Sequence, residues 1–112
     1  MLPRIEGATL PGYTATVTDD TGTIITDGLS YTWTCQASTE ITPGTLPVQL
    51  WVKSSGITPT ASGFTVAWLA ADIGTLTATN NRPARYTLEF TGTSGTNILK
   101  HQETVVIKPQ IP

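Results

Sequence analysis

The chain has 112 residues, 12% of them charged, and a net charge of −2 at pH 7. That length fits one domain able to bury its own core without a disulfide or metal, and Cys35, the only cysteine, has no partner for an intramolecular disulfide. Six Lys and Arg without a basic run leave no electrostatic footprint for nucleic acid, and no apolar run approaches the ~20 residues needed to span a bilayer.

The N-terminal MLPRIEGATL lacks the long apolar stretch of a secretory signal, so synthesis in the cytoplasm is expected; its first five residues are MLPRI. They are apolar and interrupted by proline. Leu2 and Ile5 are expected to lie in an extended arm against a neighbour, as is Ile111 in the closing VIKPQIP. The body between reads as strands. Residues 13–18, YTATVT, alternate and run into the turn Asp19-Asp20-Thr21-Gly22. Residues 23–26, TIIT, predict a short strand closed by Asp27-Gly28.

The clearest strand covers 29–38. Leu29, Tyr31, Trp33, Cys35 and Ala37 share one face, and Ser30, Thr32, Thr34, Gln36 and Ser38 the other. Successive strand side chains point to opposite faces, so this strand has one dry and one wet side. Threonine, with 23 copies in the chain, suits the wet side because its β-branch fits a pleated sheet. Cys35 falls on the dry side and reads as a small buried hydrophobe.

A loop follows to Pro47, then the strand VQLWVK at 48–53. Its alternation sets Val48, Leu50 and Val52 against Gln49, Trp51 and Lys53. If the aliphatic three point inward, Trp51 points out with Gln49 and Lys53 and forms a candidate interface. The other readings of Trp51 are a ring covered within the domain and a platform for a sugar ring, the latter with Tyr13 or Tyr31. Residues 54–63 read as a loop. FTVAWL at 64–69 is a strand with Phe64, Val66 and Trp68 inward. Around Asp72 and Gly74 a short helical turn competes. RYTLEFT at 85–91, a hairpin connection at 92–95, and a last strand at about 97–108 complete the chain.

About six to eight short antiparallel strands without a long helix predict an all-β fold, a β-sandwich of immunoglobulin-like architecture filling residues 1–112 as a single domain. No constellation for catalysis appears. Nucleophilic chemistry needs a nucleophile, a base and a group that orients the base, and the only imidazole, His101, reads as a spectator on a strand. Asp19, Asp20 and Asp27 could form a weak calcium loop, but turn chemistry explains them at less cost. The glycines sit singly in turns, so no phosphate cradle is formed. No enzyme activity, cofactor or metal is expected.

The order of VTDDTGTIITDGLSYTWTCQ, GFTVAWLAADIGTL, ARYTLEF and TVVIKP resembles the immunoglobulin-like domains of tailed-phage virion proteins, notably the N-terminal domain of the upper baseplate protein family. The matching positions are Asp19 and Gly22, Phe64 to Asp72, Tyr86, Leu88, Phe90, and Val105 to Pro109. They are turn and core residues rather than functional groups. Longer members continue into further modules, whereas a free-standing domain of this kind is similar to small capsid decoration proteins and tail adaptors. The resemblance implies a structural protein of the virion, present in many copies or as a homo-oligomer. Its partners would be the major capsid protein or a tail or baseplate protein, with no nucleic acid or membrane bound.

Overall fold

The computed structural model describes residues 2–5, 12–40, 42–68 and 82–108, with backbone alone for 2–5. The eight strands of these residues are β1 (Leu2–Ile5), β2 (Tyr13–Thr16), β3 (Thr32–Thr39), β4 (Gln49–Lys53), β5 (Ile57–Thr60), β6 (Gly63–Val66), β7 (Ala84–Ser94) and β8 (Asn97–Lys108). They form two sheets, of order β1-β8-β7-β3-β4 and β2-β6-β5. All neighbours are antiparallel except β1, which runs parallel to β8 with Leu2 opposite Val105. The chain is thus an all-β sandwich with immunoglobulin-like strand order. β2, β6 and β5 stand as strands B, E and D, β3, β7 and β8 as C, F and G, and β4 as C′.

Alternation works as expected where one face is dry. Trp33, Cys35 and Ala37 on β3, Leu88 and Phe90 on β7, and Val105 and Ile107 on β8 are buried. Phe64 and Val66 on β6, followed by Trp68, face them from the other sheet. Phe64 is the central contact, with its ring centroid 4.6 Å from both Trp33 and Phe90. Cys35, the only cysteine, is a buried thiol, and aromatic packing takes the place a disulfide holds in antibody domains.

Several local expectations are corrected. Residues 23–26 form only a bridge, Thr18 to Ile24, because the Asp19 turn brings the chain straight back. Gly28–Ser30 is a 3-10 turn, so the long strand starts at Thr32 and Leu29 is exposed rather than inward. Residues 54–63 are not all loop, because they hold β5. Its Pro59 is tolerated since β5 is an edge strand with only β6 beside it. The last hairpin turns at Gly95-Thr96 rather than at 92–95, with Ser94 opposite Asn97. Gly95 has φ 59°, which suits the first central position of a two-residue hairpin turn. The first arm is a sheet strand, β1. The helical turn expected around Asp72 and Gly74, and the arm bearing Ile111, lie outside the described residues, as do the side chains of Leu2 and Ile5.

Gly92 shows how tightly the core is closed. A Cβ there would stand 2.6 Å from Cη2 of the Trp33 ring. Gly92→Ala is expected to destabilise the fold by about 1–3 kcal/mol, the usual cost of overpacking a filled core. Denaturant unfolding checks this, with the slope unchanged and the midpoint lowered.

Candidate functional site

Among the described residues, β4 lies at an open edge of the five-stranded sheet, paired only with β3. Directly opposed residues of antiparallel strands share a face. Trp51 is opposite Ala37, and Lys53 is opposite Cys35. Since Ala37 and Cys35 are fully buried, Trp51 and Lys53 face inward too. Trp51 is half-buried against the core, and Lys53 is only 5% exposed, its ammonium lying against the Gly56 turn. The expected orientation of β4 is therefore inverted. Alternation separates the two faces of a strand, but the neighbouring strand decides which one is inside. Here the large indole and the lysine stem cover the end of the core.

Along this edge a stripe of aliphatic side chains stands in water. Leu46 is 88% exposed, Val48 61%, Leu50 40% and Val52 57%. Val48 is fixed by Thr39, whose N–H donates to the Val48 carbonyl at 3.0 Å and whose Oγ1 accepts from the Val48 N–H at 2.8 Å. A register shift pairs Ser38 with Gln49, so Leu50 is the extra residue of a bulge, and beyond it Gln49 rather than Val48 shares the outer face with Val52. No charged residue occurs from Ile41 to Val52. Across the same outer face the sheet turns polar: Val52 is opposite Gln36, which is opposite Glu89, which is opposite Gln102. Glu89 accepts from Gln102 Nε2 at 2.9 Å and pairs with Lys100 Nζ at 3.4 Å.

A second cluster joins the sheets. The Tyr13 hydroxyl donates to Glu103 Oε2 at 2.9 Å and lies 3.1 Å from His101 Nε2. With its proton committed to Glu103, the phenol oxygen accepts from Nε2–H, which makes Nε2 the protonated nitrogen. His101 is therefore not the surface spectator expected, since its ring also meets Phe64 and Phe90. Burial, aided by Glu103, pushes the Tyr13 hydroxyl well above its ordinary value. Burial alone would raise the Glu103 carboxyl, but hydrogen bonds, that of Tyr13 among them, hold it below the usual range. All three polar groups serve one another, an arrangement suited to clamping β2 onto β8.

The Asp19 carboxylate accepts from the Thr21 hydroxyl at 2.6 Å, the Thr21 N–H at 2.9 Å and the Thr23 N–H at 3.0 Å. These bonds, the hydroxyl first, hold its carboxyl below the usual range. They occupy Oδ1 with turn formation. Among the described residues no group of three or more His, Cys, Asp or Glu is placed to hold a metal ion. An open depression of about 600 Å³ lies beside this turn, lined by Asp20, Tyr31 and Asn97 to Lys100.

Of the residues expected at an interface, Gln49 is exposed at the start of β4, Trp51 is half-buried and Lys53 is buried. Leu2 and Ile5 belong to β1, at the opposite edge of the same sheet, so β4 and the N-terminal segment do not form one surface. Tyr31 is buried beside Trp33, and Trp51 packs in part against the core, so the two do not stand together as an exposed pair. Sequence reasoning missed Leu46, Val48, Leu50 and Val52. The available signal was the uncharged run 41–52.

Trp51→Ala is expected to cost about 2 kcal/mol of stability, below the value for a fully buried tryptophan because the side chain is only partly covered. Thermal unfolding checks it, and an unchanged midpoint would place the ring outside the core. Tyr13→Phe is expected to cost about 1 kcal/mol at neutral pH, discounted for partial exposure. Glu103 has a lowered folded value, so its share is present above the ordinary 4.5 and fades as pH falls through that lowered value. Tyr13, raised in the fold, contributes below its ordinary 10.0 and loses its share only as pH rises through the raised value. Wild type and Tyr13→Phe should therefore converge in stability in acid. Ultraviolet titration should show a last tyrosine step that Tyr13→Phe removes.

No protein-family model, curated protein or solved structure matches this chain.

Proposed function

We propose that this chain is a non-enzymatic structural protein of a tailed-phage virion, a decoration protein that docks on the repeating lattice of the capsid. The observation that carries this reading is the solvent-facing stripe Leu46, Val48, Leu50 and Val52 beside an open strand edge. An open edge offers unpaired backbone donors and acceptors for strand addition, and alternate side chains add apolar contact. Scattered single aliphatics are ordinary on surfaces, but several gathered along one edge mark a contact surface. The resemblance to immunoglobulin-like virion domains points the same way, and the immunoglobulin-like strand order agrees with it.

Magnitudes favour a lattice over a single partner. Fully burying one Val or Leu side chain is worth about 1.5–3 kcal/mol. Four that are already partly covered supply roughly 5 kcal/mol, and association itself costs about 4 kcal/mol or more. Each copy therefore binds weakly, and occupancy comes from neighbours that raise one another's effective concentration. The scarcity of charge fits such a surface, since charged residues are depleted at interface cores.

Particles purified from cells whose genome encodes the chain provide the test. Mass spectrometry should find the chain at high copy number in intact particles, and gold-labelled antibody should decorate the head. Label confined to the tail would replace capsid decoration with a baseplate or tail adaptor. Absence from purified particles would remove the virion reading.

A further inference from the structure

We infer that the occupant of the β4 edge is a second copy of the same chain, paired antiparallel about a twofold axis near Trp51. This rests on the reading of the stripe as a docking surface and names its partner: the stripe joins neighbouring copies on the lattice, and a pair so joined meets the lattice through its other faces.

The four sheet edges are not alike. β5 carries Pro59 and β1 carries Pro3, which removes a backbone donor from each, and β2 is only four residues long. Proline, charge and short length are the ordinary guards against edge-to-edge pairing. β4 has no proline, and its outward side chains are Leu50 and Val52. Its one guard is the bulge at Leu50, which kinks the strand without adding charge.

Self-pairing imposes a charge condition that few edges meet. A twofold axis brings a strand onto itself, so every outward charge meets its own sign nearby. The run from Ile41 to Val52 holds no charge, and the one lysine of β4, Lys53, is turned inward and buried. The symmetry also preserves faces. Pairing centred on Trp51 places Leu50 opposite Val52 of the second copy and Val52 opposite its Leu50, all on the outer face. The two five-stranded sheets then continue across the axis. A five-residue edge covers less than the roughly 800 Å² per partner of a standard interface, so this dimer is reversible.

Sedimentation equilibrium of the full chain from micromolar to millimolar concentration tests the inference. The mass should rise toward twice 11.9 kDa. Val52→Lys should move that rise to at least about tenfold higher concentration, because a charge must be buried beside an apolar partner. Leu50→Glu should do the same. Both residues are exposed, so the circular dichroism of each variant should match the wild type. An equimolar mixture of the two variants should regain the dimer, since this register sets the new glutamate opposite the new lysine. A wild type that stays at 11.9 kDa throughout, or a Val52→Lys variant that dimerises like the wild type, overturns the inference. A strict monomer found in purified particles would remove self-pairing and leave the virion reading intact. A dimer absent from particles would do the reverse.

Discussion

The fold depends on one side chain crossing the gap between sheets. Phe64 projects from β6 and meets both Trp33 and Phe90 at 4.6 Å, one from each of the two central strands of the opposite sheet. Without a disulfide, this contact fixes how the sheets sit on one another. It also explains the backbone around it. Trp33 must lie close to β7, and only glycine at position 92 leaves room. Tyr13 packs its ring against Phe64 and Phe90, so its hydroxyl arrives beside Glu103 and His101. A polar clamp thus sits at the margin of the aromatic contact and satisfies the groups brought there by packing.

The face that β3 buries propagates outward through register. Ala37 and Cys35 point inward, so Trp51 and Lys53 must do so on β4, because directly opposed residues share a face. A slip of one residue would exchange the faces of the whole strand. The outward turn of Val52, with Leu50 beside it, is therefore a consequence of the central packing rather than a local choice of β4. A tryptophan buries more surface than a valine, which accounts for the indole taking the covered side at the end of the core.

This shows which parts of the structure could be read in advance. The faces of β3, β6 and β7 were legible because each strand sets aromatic or aliphatic residues against threonine, and burial of that one face leaves no alternative. The last strand was legible by length and by the apolar cluster at 105–107. β4 was legible as a strand but not in orientation, since both of its faces carry substantial apolar surface and only the register with β3 separates them. β5 was hidden because ITPT is short and holds a proline, a pattern compatible with a loop and with an edge strand alike. The Tyr13–His101–Glu103 cluster joins residues some 90 positions apart, and no local pattern announces such a meeting. The turn at Asp19 was legible because it is built from neighbours.

An exposed apolar edge is usually a liability, and the composition of this sheet limits the hazard. Moving inward from Val52, the outer face passes to Gln36, then to Glu89 with its Lys100 and Gln102 partners. The stripe is thus one strand wide. Its width sets an upper limit on affinity: a single row of aliphatics can offset association costs only by a small margin. A broader patch would bind one partner tightly and would also aggregate. A narrow one carries less of that hazard and becomes effective only where several copies are held side by side.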